Sequence, residues 1–122
     1  MTEQDAYFFD TYAILEILGG NPNYKKYTDA DIVVTKLNLF ELFYKLLKES
    51  GEEKAQHYLD IYKPFAADFD ENVISEAAKM KMLQGKLSMA DCIGFIVAEK
   101  LGIKFLTGDS AFEAVPNVEF VK

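Results

Sequence analysis

A chain of 122 residues, half of them apolar and carrying ten Phe and seven Tyr, holds one domain's worth of material for a buried core. No stretch approaches the roughly 20 apolar residues that a membrane crossing needs, and MTEQDAYFFD lacks a basic region followed by a long apolar run, so neither a span nor a signal peptide is expected. The lone Cys92 excludes an internal disulfide and fits a reducing cytoplasm, while the net charge of −7 runs against a binder of nucleic-acid backbones. All 13 basic residues are lysine, so the chain has no guanidinium fork for phosphate. Any phosphate contact must come from lysine, backbone N–H groups or a bound metal.

In chain order, residues 6–9 form a short apolar run that stops at Asp10 and reads as a strand. TYAILEIL follows with helical spacing and ends at Gly19-Gly20. A second short helix is expected over 21–30, with Pro22 in its first turn. Residues 32–35 are β-branched and read as a strand. Residues 39–49 form a helix whose Leu39, Phe40, Leu42, Phe43, Leu46 and Leu47 predict deep burial. Helix 52–62 comes next, then a short strand over 65–69 after Pro64. Asp70 caps a helix over 71–84 with Val73, Ile74, Ala77, Met80 and Leu83 on its inner face. Ser88 opens a helix that closes at Gly102, and strands are expected over 103–107 and 118–121. Strands alternating with helices predict an α/β domain. Their uninterrupted apolar character predicts a central, mainly parallel sheet of four to five strands covered on both faces, a three-layer α/β/α arrangement over residues 1–122.

In such a sheet, ligands gather beyond the carboxyl ends of the strands. Asp10 follows the first strand directly, and Asp109 lies two residues after Thr107. A helix of about twelve residues descends roughly 18 Å and a five-residue strand returns about 16 Å, so Asp91 and Asp109 reach the same edge. Glu41, in the first turn of the helix after the second strand, belongs there too. Four carboxylates on one edge repel one another, helix N-termini favour their charged forms, and a hard cation such as Mg²⁺ or Mn²⁺ would complete the neutralisation. Taken singly, each acid reads as a cap before it reads as catalytic: Asp10 and Asp109 as N-caps, Asn38-x-x-Glu41 and Ser88-x-x-Asp91 as capping boxes. The case for chemistry lies in the set.

The segments YFFDTYAILEIL, NLFELFYKLL, LSMADCIGFIVAEKLG and IKFLTGDSAF, in this order and spacing, resemble the PIN-domain family and within it the VapC-type toxin nucleases. The resemblance implies a Mg²⁺- or Mn²⁺-dependent endoribonuclease, a homodimer, and an antitoxin partner that inhibits it. It puts the family's acids on Asp10, Glu41, Asp91 and Asp109. Asp10, Asp91 and Asp109 are then the metal ligands, Glu41 orients or deprotonates water or joins the ligands, and Thr107 hydrogen-bonds a carboxylate. Ser110 and Ala111 stand where some relatives carry a further acid, which leaves the number of metal ions open. A nuclease of RNA processing or turnover without an antitoxin, and a non-catalytic PIN-like binding module, are the alternatives. A phosphatase of the haloacid dehalogenase type would need an Asp where Tyr12 stands, and a receiver domain would need paired acids after its first strand. His57 reads as an exposed helix residue, Cys92 as a small packed side chain, and Lys79, Lys81 and Lys86 as solvated surface before RNA contacts. Phe40, Phe43, Tyr58 and Tyr62 read as core first and dimer face second.

Overall fold

Successive residues of a strand face opposite sides of a sheet, and a strand buried on both sides must be apolar throughout. The computed structural model, which describes residues 5–122, follows this rule; residues 1–4, part of the segment expected to lack a signal peptide, lie outside the described residues. Strands β1 (Ala6–Phe9), β2 (Asp31–Val33), β3 (Lys104–Thr107) and β4 (Val118–Phe120) form one sheet in the order β2-β1-β3-β4. Every neighbouring pair is parallel, with Phe8 in register with Val33 on one side and Phe105 on the other. Among the described residues five α-helices surround the sheet: α1 (Thr11–Leu18), α2 (Lys36–Ser50), α3 (Glu52–Tyr62), α4 (Glu71–Leu83) and α5 (Met89–Leu101). Among the described residues no helix is long and apolar enough to cross a membrane.

Phe8 and Phe105 face one core with Val73 and Ala77 of α4 and the apolar side of α5. Phe9 and Leu106 face the other, with Ile14 of α1, Leu39, Leu42 and Leu46 of α2, and Ala55 and Tyr62 of α3. This is the expected three-layer arrangement. Gly94 of α5 lets the helix lie directly on the sheet: a Cβ there would come within 2.6 Å of the Phe8 ring. Cys92 is fully buried in the first core and His57 is exposed, as their sequence context predicts.

Several expectations need correction. Residues 65–69 do not form a strand: only Ala66 bridges to Val34, flanked by hydrogen bonds from Val34 N to Phe65 O and Ala67 N to Val34 O. A 3-10 turn over Lys63–Phe65 uses the start of the run, and Phe69 turns into the α4–α5 core. The segment 21–30 contains a 3-10 turn, Pro22–Tyr27, instead of an α-helix. Its Tyr24 and Tyr27 hydroxyls reach the C-terminal strand, donating to Val121 O at 2.6 Å and Glu119 Oε2 at 2.6 Å. Of the apolar positions expected to be buried on α2, only Leu39, Leu42 and Leu46 are; Phe43 is half-buried, and Phe40 and Leu47 are exposed. On α4, Val73 and Ala77 are buried and Met80 half-buried, whereas Ile74 and Leu83 face outward because one stripe suffices to meet α5.

Candidate active site

The chain leaves β1 for β2 on one side and returns as β3 on the other, so the sheet's topological switch point lies between β1 and β3. A crevice opens there beyond the strand ends, the general location for ligands in open α/β sheets. Asp10 and Asp109 flank it. A hydrogen bond from Asp10 N to Leu106 O, at 3.1 Å, ties the two strand ends together. Asp10, Glu41, Asp91 and Asp109 all line one cleft, along with Thr11, Tyr12, Phe40, Tyr44 and Lys45. The convergence expected for the four acids is present.

Each acid is held by the local structure that its element supplies. Asp10 caps α1: its Oδ1 accepts from Thr11 N at 2.8 Å, and its Oδ2 accepts from the buried Thr107 hydroxyl at 2.7 Å. The same Thr107 oxygen accepts from Asp109 N at 3.1 Å, so one hydroxyl sets two of the four acids. Asp109 caps the 3-10 turn Ser110–Phe112 through Ala111 N at 3.0 Å. Asp91 completes the expected capping box, accepting from Ser88 N at 2.9 Å, while its own N–H donates to Ser88 Oγ at 3.0 Å.

Glu41 departs from expectation. The helix starts at Lys36, three residues early, and its capping box is Thr35 with Asn38. Asn38 is therefore the acceptor for Thr35 N and Thr35 Oγ1, at 3.1 and 2.8 Å, and does not begin the helix. Glu41 consequently sits in the second turn, free of any capping duty. Its Oε1 accepts from the Thr11 hydroxyl at 2.8 Å, and Asn38 Nδ2 donates in turn to Thr11 at 3.5 Å. Thr11 and Asn38 thus position Glu41 as Thr107 positions Asp10. The positioning roles of Thr11 and Asn38 are not among the sequence expectations; for Asn38 the alternative capping box Thr35-x-x-Asn38 is the available signal.

The electrostatics match the crowding. Burial, then the Asp91 charge and to a smaller extent Glu41, push the Asp10 carboxyl up to about 7, against the opposing hydrogen bonds from Thr107 and Thr11. Asp91 and Glu41 are also raised, chiefly by burial. Lys45 offsets Glu41 from the cleft wall. Lys81 opposes the rise at Asp91, but its ammonium is spent on the backbone of the following turn, 2.8 Å from Leu87 O. The cleft thus holds more negative charge than its lysines neutralise.

An all-oxygen donor set of this kind suits Mg²⁺ or Mn²⁺, and no imidazole or thiolate in the cleft suits zinc. Oδ1 of Asp91, Oε2 of Glu41 and Oδ2 of Asp109 carry no hydrogen bond from the described residues. Among the described residues no three acidic, His or Cys side chains are drawn into a ready-made ligand cluster. The residues lining the cleft fit a hard, oxygen-preferring divalent cation.

Thr107→Val keeps the shape and removes both hydrogen bonds. It is expected to lower any activity of the cleft by on the order of 10- to 100-fold and stability by about 1–3 kcal/mol. Loss of the hydroxyl also raises Asp10 further, moving the acid limb of a pH–rate profile upward; Thr107→Ser should restore it. An unmoved profile would show that Thr107 does not position Asp10.

Fold and cleft together define a parallel α/β domain with a carboxylate-lined site at its switch point. The chain belongs to the PIN domain family, whose model matches residues 7–118. Solved structures similar to it include two complexes. One is a toxin–antitoxin complex from Klebsiella pneumoniae, with TM-score 0.72 and 17% identity over 93% of this chain and 95% of that one. The other is VapBC2 from Rickettsia felis bound to a DNA fragment from its promoter, with TM-score 0.69 and 18% identity over the same shares. At such identities the likeness establishes the fold alone. No curated protein matches the chain.

Proposed function

We propose that this PIN domain is a divalent-cation-dependent endoribonuclease and the toxin of a toxin–antitoxin pair. The observation that carries the nuclease reading is the convergence of four carboxylates from four separate elements on one cleft, with Asp10 buried and raised to about 7. A fold tolerates such repulsion where a ligand relieves it. Asp10, Asp91 and Asp109 would hold Mg²⁺ or Mn²⁺. When bound, the cation supplies charge neutralisation at the phosphate and acidifies water in the cleft. Glu41, oriented by Thr11, takes the proton from the attacking water as its oxygen bonds to phosphorus; the bond to the 3′ oxygen breaks and that oxygen takes a proton from solvent water, leaving a 5′-phosphate and a 3′-hydroxyl. Thr107 keeps Asp10 aligned throughout.

The toxin reading draws support from the two toxin–antitoxin complexes that share the fold. The implied homodimer has apolar surface to use: Ile74, Met82 and Met89 border a groove between α4 and α5. Light scattering is expected to give a mass near twice 13.8 kDa, and a monomer at micromolar concentration would refute the dimer. The deciding experiment for the nuclease is Mn²⁺-dependent cleavage of labelled RNA by the purified protein beside Asp10→Asn and Asp91→Asn. Cleavage undiminished in both variants removes the proposed site.

A further inference from the structure

We propose that Phe40 and Tyr44 form a stacking platform for unpaired RNA bases on the rim of the acidic cleft, an inference that rests on the nuclease reading. Both side chains line the cleft that holds the four carboxylates. They are 72% and 52% exposed. Their rings lie within 12° of parallel with centroids 6.4 Å apart. The spacing i, i+4, i+8 continues the stripe to Lys48, whose ammonium stands 5.1 Å from the Tyr44 ring centre. Over about 12 Å of helix, two aromatic faces and a cation lead away from the acids.

Charge decides what this stripe must do. A net charge of −7 and the absence of arginine deprive the protein of the ion-pairing that normally carries RNA affinity. Lys45 is the only lysine among the residues lining the cleft. Contact with the π-faces of bases needs no positive charge on the protein, tolerates any sequence, and contributes about 1–3 kcal/mol per base. It also selects substrate. Bases in an A-form duplex are stacked on one another and cannot reach a side-chain ring, whereas those of loops and single strands can. The platform therefore takes an unpaired base while a neighbouring phosphodiester enters the cleft.

Leu47 is also exposed and prolongs the stripe, so a helix of a partner protein is the competing occupant. The place of the rings beside the four carboxylates, where an RNA strand must lie to be cut, favours a base.

The test uses the full chain, Mn²⁺ and a randomised single-stranded RNA pool in which 2-aminopurine replaces part of the adenine. The wild type is expected to quench the 2-aminopurine fluorescence and to cleave the pool. Phe40→Ala and Tyr44→Ala should each raise KM on the order of tenfold and abolish the quench, with kcat within about threefold. Phe40→Trp should restore both. Cleavage with wild-type KM and quench in both alanine variants overturns the platform and leaves the nuclease standing. Alanine variants that keep wild-type KM but release a co-expressed partner protein also overturn it, and give the stripe to protein docking. A wild type that neither binds nor cleaves the pool overturns the nuclease reading and the platform together.

Discussion

Asp10→Asn is expected to abolish cleavage and, in the absence of divalent cation, to make the fold more stable at pH 8. Removing a carboxylate that would hold the cation forfeits several kcal/mol of charge stabilisation, a loss on the order of 10³-fold in rate. The stability effect has the opposite sign. Asp10 titrates near 7 in the native state and near 3.9 unfolded. Between those pH values the native state binds more protons than the unfolded chain. Stability from this group is thus fully present below about pH 4, falls as pH rises, and is lost once pH passes about 7. Asp91 and Glu41, raised chiefly by burial, act in the same direction. Asparagine carries no charge, retains an acceptor for Thr11 N, and can donate to the Thr107 hydroxyl in place of accepting from it. The gain at pH 8 is on the order of a few kcal/mol. Thermal melts of both proteins from pH 4 to 8 should diverge with rising pH. Adding Mg²⁺ or Mn²⁺ should close the gap from the wild-type side, because a ligand of the native state stabilises it by mass action. Parallel melting curves across this pH range would show that Asp10 is not held as a strained carboxylate.

Gly108→Ala is expected to be among the most destabilising single-methyl additions in the molecule. A Cβ at this position would collide with the Val121 carbonyl oxygen and stand 2.5 Å from the Tyr12 ring. The Val121 carbonyl cannot yield cheaply. Val121 N donates to Thr107 O at 2.9 Å, and Val121 O accepts the Tyr24 hydroxyl at 2.6 Å. Moving the carbonyl costs that phenol its partner as well as the packing, together roughly 3–5 kcal/mol. For a chain of this size the melting midpoint should fall by roughly 10–20 °C. Gly85→Ala is the control: a Cβ there meets nothing within 4 Å, and its midpoint should hold or rise slightly. Equal midpoints for the two variants would mean that the C-terminal segment does not close over Gly108. Because Gly108 joins Thr107 to Asp109, the same variant should also disturb the site.

What the sequence determined alone were features set by local chemistry. The apolar runs ending at Asp10 and Thr107 could only be strands covered on both faces, and Ser88 with Asp91 could be read as a capping box because its hydrogen bonds span three residues. The edge shared by Asp10, Asp91 and Asp109 followed from helix rise and strand rise. Tertiary structure decided whatever depends on a partner distant in the chain. Of the apolar positions on α2, only those meeting Phe9 and Ile14 are buried, and Phe40 is left to the cleft. Two capping boxes competed at the start of α2; Asn38 is fully buried and bonded to both Thr35 and Thr11, so the earlier box formed and released Glu41 to the site. Residues 65–69 have strand-like side chains, yet beyond Ala66 they pair with no strand, and a strand exists only through the neighbour it bonds to. Gly108 gave no sign in one dimension, since the atoms that exclude a methyl there belong to Tyr12 and Val121.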